Sequence, residues 1–170
     1  MKYHNLIRYG LNDRFAQEAT LYEDLFLARV TEQHRDLYKA VSEKGEIQAE
    51  VSGNFIYRAN DTSDFPAVGD WVMVDREDDS AGNAIIHEVL TRKSAFERKA
   101  AGTGNNKQVV AANIDIVFIC MSLNADFNFR RMERYLSVAL NSMATPVIVL
   151  TKADLCLDPG PYLKELEKVG

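Results

Sequence analysis

The sequence predicts an all-β barrel of five strands, of the OB-fold type, followed by part of an α/β domain. Three observations support this fold class: five short strand patterns in residues 25–91, a strand–helix–strand pattern in residues 113–151, and a basic, glycine-containing segment between them. The predicted divisions are an N-terminal arm or helix (1–24), the barrel (25–91), a basic linker (92–112) and the first part of the α/β domain (113–170).

Residues 5–20 are predicted to form a short helix or an ordered arm. The apolar residues near helical spacing are Leu6, Ile7, Leu11 and Phe15. Gly10 and Asn12 interrupt this pattern, which favours a broken helix or an arm over one long helix.

The predicted barrel strands are short apolar runs separated by turn residues. They are LFLARVTEQ (25–33), DLYKAVS (36–42), EIQAEVSG (46–53), DWVMVDRE (70–77) and AIIHEVL (84–90). The longest connection contains Pro66 and Gly69. Five short strands in succession are typical of a small closed barrel, of which the OB-fold is the commonest five-stranded form. Other small barrel folds fit the same strand pattern.

Residues 92–107, RKSAFERKAAGTGNNK, interrupt the strand pattern with two glycines and two asparagines. The segment has five basic residues and one acidic residue. Its local net charge is +4, in a chain whose net charge is −5. The segment therefore predicts a domain boundary, and it carries the candidate RNA-binding residues Arg92, Lys93, Arg98, Lys99 and Lys107.

The α/β part begins with IDIVFICMSL, a continuous apolar run typical of a strand covered on both faces of a parallel sheet. RRMERYLSVALNSM (130–143) has apolar residues at helical spacing, and the apolar strand VIVL follows Pro146. This order predicts a βαβ unit with parallel strands. Pro159 and Pro161 then predict the start of a second helix.

Composition excludes several functional classes. The chain has 46% hydrophobic residues, two separated cysteines and three scattered histidines, so neither disorder, a disulfide framework nor a metal site is indicated. Cys120 is predicted to be an inert core thiol. The N-terminus is too polar for a signal peptide and no apolar run reaches the length of a membrane span, which predicts a cytoplasmic protein.

The stretch VIVLTKADL ends a predicted strand with Thr-Lys-x-Asp. In α/β sheets ligands bind at the carboxyl ends of strands, so Thr151, Lys152 and Asp154 are candidate guanine-binding residues. The Asp154 carboxylate can accept two hydrogen bonds from the paired N–H donors of guanine, and the Lys152 stem can lie along the base. The alternative is that Asp154 only caps a following turn.

A phosphate-binding loop of the form GxxxxGK[ST] does not occur in the sequence. The nearest segment, GTGNNKQ at residues 102–108, lacks the required spacing. Either the protein is not a GTPase, or its GTPase domain is circularly permuted and the phosphate loop follows residue 170.

The sequence resembles the RsgA family, the circularly permuted GTPases of small ribosomal subunit maturation, over essentially its whole length. The matching stretches are YGLND (9–13), ARV (28–30), VGDWV (68–72), RKSAFERKAAG (92–102), QVVAANIDIVFI (108–119), FNFRRMERYL (127–136) and PVIVLTKADL (146–155). The resemblance implies an N-terminal OB-fold, a permuted P-loop GTPase-like domain and a zinc-binding module.

The resemblance also implies guanine nucleotide as a ligand, the small ribosomal subunit and its rRNA as partners, and GTP hydrolysis with Mg²⁺. It assigns guanine binding to Thr151, Lys152 and Asp154, although Thr151 departs from the more familiar asparagine. Ligands for Mg²⁺ and Zn²⁺ have no counterpart in these residues. The chain is therefore expected to be an amino-terminal fragment that cannot hydrolyse GTP alone.

A second interpretation is a non-catalytic OB-type module that binds RNA or protein. Its candidate contact residues on the barrel are Tyr38, Phe55, Tyr57, Arg58 and Trp71. Aromatic residues in strands belong more often to the core, and Trp71 is predicted to be buried.

Overall fold

A computed structural model describes residues 3–99 and 107–167 of the chain. The chain divides into two compact units, Met1–Asn113 and Ile114–Gly170.

The first unit begins with two short helical segments rather than one helix. A 3-10 turn (Leu6–Tyr9) ends at Gly10, whose positive φ of 85° reverses the chain, and helix α1 (Asp13–Ala19) follows. The Asn12 side chain accepts a hydrogen bond from the backbone N–H of Phe15 and so caps α1. The two residues that interrupt the sequence pattern are thus the ones that end one segment and start the next.

Five strands of the first unit form a closed barrel. They are β1 (Phe26–Gln33), β2 (Tyr38–Ser42), β3 (Glu46–Val51), β4 (Trp71–Val74) and β5 (Ala84–Val89). The order around the barrel is β1-β2-β3-β5-β4, closed by antiparallel pairing of β4 with β1 and parallel pairing of β3 with β5. The predicted five-stranded OB-type barrel is confirmed.

Two apolar clusters stabilise the barrel. Its interior is filled by alternate residues of the strands: Ala28, Val30, Tyr38, Ala40, Ile47, Ala49, Val72, Val74, Ala84 and Ile86. A second cluster lies outside the barrel, where Leu6 and Phe15 of the N-terminal segments pack with Trp71 and Met73. Trp71 is only 1% exposed, which confirms its predicted burial.

The connection between β3 and β4 contains helix α2 (Gly53–Arg58), which the strand pattern did not predict. Ser52 caps it by accepting a hydrogen bond from the N–H of Phe55. Phe55 is buried and meets Phe65 edge to face, with 5.8 Å between ring centroids. Tyr57, on the same short helix, is 89% exposed.

Residues 92–112, predicted as a linker, contain two antiparallel strands, β6 (Ala95–Lys99) and β7 (Lys107–Ala112). These strands belong to the first unit because Val109 and Ala112 of β7 are buried against Ala67. Residues 100–106, including the glycines of this segment, lie outside the described residues.

Gly69 allows β7 to approach the barrel. Its φ is +92°, and a Cβ placed there would lie 2.1 Å from the carbonyl oxygen of Ala112. The backbone N–H of Ala112 also donates to the carbonyl of Val68 at 2.8 Å. Only glycine combines this backbone angle with so close an approach.

The second unit contains the predicted βαβ pattern. Strand β8 (Ile116–Ser122), helix α3 (Phe129–Asn141), strand β9 (Thr145–Thr151) and helix α4 (Gly160–Leu166) follow in order. Strands β8 and β9 are parallel, as predicted. The Asn128 side chain caps α3, which buries Met132 and Ala139.

Only one face of strand β8 is covered among the described residues. Ile119 and Met121 are buried, whereas Ile116 and Phe118, on the opposite face, are 53% and 65% exposed. Cys120 shares that face and is exposed, so its predicted burial is wrong. The prediction assumed that both faces of the strand would be covered.

Candidate functional site

The Thr-Lys-x-Asp stretch lies at the carboxyl end of β9. Thr151 is the last residue of the strand, and Lys152 adopts a left-handed conformation with φ of 56°. A 3-10 turn (Ala153–Leu155) follows, in which the N–H of Leu155 donates to the carbonyl of Lys152. The backbone therefore turns sharply as soon as the strand ends, as a ligand-binding loop at a sheet edge requires.

The neighbouring strand β8 ends at the same edge. Ser122 of β8 pairs in register with Thr151 of β9, and the N–H of Leu123 donates to the carbonyl of Thr151 at 2.9 Å. The Asn124 side-chain oxygen accepts from the Ser122 hydroxyl and from the N–H of Asp126. The bond between Leu123 and Thr151 joins the two strand ends, and the Asn124 bonds order the loop that follows β8.

The Asp154 carboxylate is exposed and accepts no hydrogen bond from the residues that the structure describes. It therefore does not cap α4, which begins six residues later at Gly160. Lys152 is also exposed. Two unpartnered carboxylate oxygens beside an exposed lysine stem are what recognition of a base with paired N–H donors requires.

The predicted RNA-binding residue Arg92 has a different environment. Its Nε and Nη2 atoms donate to the carboxylate of Asp70, at 2.9 and 2.7 Å. Nη1 and Nη2 also donate to the carbonyls of Ser63 and Phe65. Because its donors bind protein acceptors, Arg92 has a structural role, and its RNA contact stays a prediction.

The structure describes the other predicted RNA-binding residues to different extents. Lys93 is exposed. The backbones of Arg98, Lys99 and Lys107 lie in β6 and β7, while their side chains lie outside the described residues. RNA binding by these four residues stays a prediction.

Sequence reasoning missed the buried polar network around Asp70, which is 0% exposed. Besides Arg92, Asp70 accepts from the N–H of Ala67 at 2.8 Å. The Asn113 amide donates to the carbonyl of Gly69 and accepts from the N–H of Lys93. These residues lie far apart in the sequence, and no local pattern indicates that they meet.

Within residues 3–99 and 107–167, no group of histidine, cysteine or acidic side chains is arranged to hold a metal ion. Over the same residues, every helix is too short or too polar to cross a membrane.

Comparisons of sequence identify relatives of this chain. Residues 89–170 match the family model for the RsgA GTPase. The small ribosomal subunit biogenesis GTPase RsgA 2 of Lactiplantibacillus plantarum is 45% identical over 98% of this chain, which spans 46% of that protein. RsgA 1 of Listeria innocua is 42% identical over 97% of the chain, which spans 45% of it.

Two crystal structures share the fold. The chain aligns with YloQ, described as a circularly permuted GTPase, with a TM-score of 0.58 and 20% identity, covering 86% of this chain and 46% of YloQ. It aligns with YjeQ from Thermotoga maritima with a TM-score of 0.62 and 22% identity, covering 85% of this chain and 47% of YjeQ. The likeness establishes the fold: an N-terminal OB-type barrel followed by part of an α/β domain.

The curated relatives match nearly all of this chain, and the chain spans about half of their length. By sequence, this chain therefore matches the RsgA GTPase family, through the family model over residues 89–170 and through curated relatives over about 98% of its length.

Proposed function

We propose that the protein containing this chain is a cytoplasmic GTPase that acts in small ribosomal subunit biogenesis. In this proposal Thr151, Lys152 and Asp154 bind guanine, and the OB-type barrel contacts rRNA together with Lys93, Arg98, Lys99 and Lys107. The names of the relatives support the process and the nucleotide. The observation that carries the guanine assignment is the unpartnered Asp154 carboxylate at the end of β9.

Each site residue has a separate chemical role. The Asp154 oxygens accept hydrogen bonds from the ring and exocyclic N–H groups of guanine, whereas adenine lacks that pair of donors. The left-handed backbone at Lys152 turns the chain so that the methylene stem can cover a face of the base. The Thr151 hydroxyl can bond to a neighbouring loop.

The match to the RsgA GTPases implies Mg²⁺ with the nucleotide, and the resemblance implies a structural Zn²⁺. The described residues hold no group suited to either ion. The sequence also lacks a GxxxxGK[ST] loop. We therefore propose that the 170 residues alone do not hydrolyse GTP, which phosphate-release assays of this chain and of the complete native protein would check.

Substitution of Asp154 tests the guanine assignment. In the complete native protein, Asp154→Asn is expected to weaken GDP and GTP binding by roughly 10- to 100-fold, because a bidentate contact contributes about 1–3 kcal/mol. ATP binding is expected to stay unchanged. Fluorescent-nucleotide titrations would measure the ratio of mutant to wild-type affinity for guanine nucleotides and for ATP.

Asp158→Asn is the matched control, because Asp158 is an exposed carboxylate close in sequence that accepts only from the N–H of Gly160 among the described residues. An unchanged GTP/ATP ratio in Asp154→Asn would mean that Asp154 does not read guanine. Absence of guanine-nucleotide binding in the native protein would favour the alternative, a non-catalytic RNA- or protein-binding module.

A further inference from the structure

A cavity of about 280 Å³ lies in the first unit, between the β1–β2 loop, residues 62–66 and the start of β7. The residues that matter for its chemistry are Gln33, Arg35, Tyr38, Phe65, Pro66 and Gln108. Its volume lies just below the usual range for ligand sites, about 300–1,000 Å³. The cavity therefore suits a planar group of the size of one nucleobase.

One side of the cavity is apolar and fixed. Tyr38 is 3% exposed, and Pro66 is buried. The ring of Phe65 is held edge to face against Phe55. Burial raises the pKa of Tyr38, although a hydrogen bond with the Gln33 side chain acts in the opposite direction, so the hydroxyl stays protonated at neutral pH. Tyr38 thus closes the cavity from within the barrel, and the held ring of Phe65 can contact a base without loss of side-chain freedom.

The other side offers hydrogen-bonding groups. Gln33 is exposed and Gln108 is half-buried, and each amide presents both a donor and an acceptor. Arg35 is exposed and forms no ion pair with the residues that the structure describes. Amides of this type can bind the edge of a base, while a free guanidinium can bind the adjoining phosphate.

Charges of both signs lie near the cavity. Glu32 and Asp36 are exposed and close to Arg35 in the sequence, but Arg35 is the charged side chain that lines the cavity itself. The β4–β5 loop, residues 75–83, contains four acidic residues, and its one arginine is paired with Asp75. The β1–β2 loop is also one of the loops with which OB-folds bind oligonucleotides.

A larger cavity of about 330 Å³ in the same unit lacks these properties. Its arginines are already paired, Arg58 with Glu88 and Arg92 with Asp70. The Asp64 carboxylate accepts from the N–H groups of Asn60 and Asp61. No unpaired cation among the described residues that line it is left for a phosphate.

We propose that the cavity between the β1–β2 loop and β7 binds one unstacked nucleobase of an RNA strand. The base contacts the ring of Phe65, its edge bonds to the amides of Gln33 and Gln108, and Arg35 binds a flanking phosphate. This inference rests on the proposed role of the barrel in RNA contact, and it adds the place and the chemistry of that contact.

Fluorescence anisotropy with labelled A8, C8 and U8 RNA tests the inference on the intact protein. We expect the wild type to distinguish the three sequences. Gln108→Leu, which keeps the side chain's size but removes its amide, is expected to weaken the preferred RNA about tenfold and to reduce the differences between sequences. The matched control is Gln48→Leu, an exposed glutamine on β3 outside the cavity.

The salt dependence separates base contact from phosphate contact. Arg35→Ala is expected to lower the slope of log K against log salt by about 0.7, the value for one phosphate of a single strand. Gln108→Leu should leave the slope unchanged, since it removes no charge. Arg8→Ala, at an exposed arginine of the N-terminal turn, is the control for charge alone.

Three results would overturn the inference: no binding of these RNAs by the wild type, equal binding by Gln108→Leu and Gln48→Leu, or a loss confined to Arg35→Ala. None of these results would refute the proposed GTPase function. That function is judged separately, by co-sedimentation with small ribosomal subunits and by the nucleotide preference of Asp154→Asn.

Discussion

The two units of the chain bury their strands to different degrees. All four residues of β4 in the barrel are buried, whereas β8 in the second unit exposes Ile116, Phe118 and Cys120 along one face. The barrel pairs every strand on both sides and fills its own interior, and the N-terminal segments cover the outer face of β4. The two-stranded sheet leaves an apolar face uncovered among the described residues, and exposed faces of this kind are typical of interaction surfaces.

The candidate RNA contact and the candidate guanine site therefore have different structural support. The first is built on a closed scaffold, while the second depends on two parallel strands and the loops that follow them. Changes in the barrel should therefore cost more stability than matched changes on the open face of β8.

Arg92→Ala should have the largest effect, because it leaves the buried Asp70 carboxylate without its charged partner. Breaking a buried ion pair by removing one member costs about 3–5 kcal/mol. Trp71, the only tryptophan in the chain, lies in this unit, so its fluorescence in urea would report the loss. Arg8→Ala should change stability by less than about 0.5 kcal/mol. A loss below about 1 kcal/mol in Arg92→Ala would contradict the structural role of the pair.

The isoleucine pair Ile86 and Ile116 compares the two units directly. Ile86 is fully buried in the barrel, so Ile86→Ala should destabilise the first unit by about 2–5 kcal/mol. Ile116 is 53% exposed on β8, and Ile116→Ala should cost less than about 1 kcal/mol. Trp71 fluorescence measures the first loss, and amide hydrogen exchange in β8 measures the second. Equal losses would mean that the open face of β8 is covered in solution.

The smallest expected effect concerns pH and the N-terminal turn. Desolvation raises the pKa of Glu43, but hydrogen bonds from the N–H groups of Asn5, Leu6 and His4 outweigh it and lower the pKa below its usual 4.5. A lowered carboxyl pKa contributes stability above pH 4.5, and this contribution is lost as the pH falls through the lowered pKa.

The melting temperatures of wild type and Glu43→Gln should therefore differ at pH 6 and converge as the pH falls below about 4. Glu46→Gln, at an exposed position of β3, should follow the wild type throughout. A constant difference between wild type and Glu43→Gln down to pH 3 would show that the carboxylate charge is not what holds the turn.

The strands were predictable because their signals are local. Alternating apolar residues and turn residues indicated the five barrel strands, and helical spacing after an apolar run indicated β8, α3 and β9. The position of Thr151 and Asp154 at a strand end followed from the same pattern. Only the structure shows that the Asp154 carboxylate has no hydrogen-bond partner among the described residues.

Other features depend on contacts between distant residues. The sequence at 92–112 resembles a linker because of its glycines and charges, yet Val109 and Ala112 pack against Ala67 and make it part of the first unit. Helix α2 was missed because the residues between the predicted strands 46–53 and 70–77 were read as a connection, although Ser52, directly before the helix, is a possible cap signal. The bonds of Arg92 join residues separated by 22 and more positions, which no local pattern encodes.

The buried network around Asp70 also sets an order of events during synthesis. As the chain leaves the ribosome from its N-terminus, β1, β2 and β3 can pair early, but Asp70 meets Arg92 22 residues later and the Asn113 amide 43 residues later. The first unit can complete its polar interior only when Asn113 has emerged, immediately before the strands of the second unit appear. The network therefore delays completion of the first unit until residue 113 has emerged. The first unit is then complete before the second unit has been synthesised.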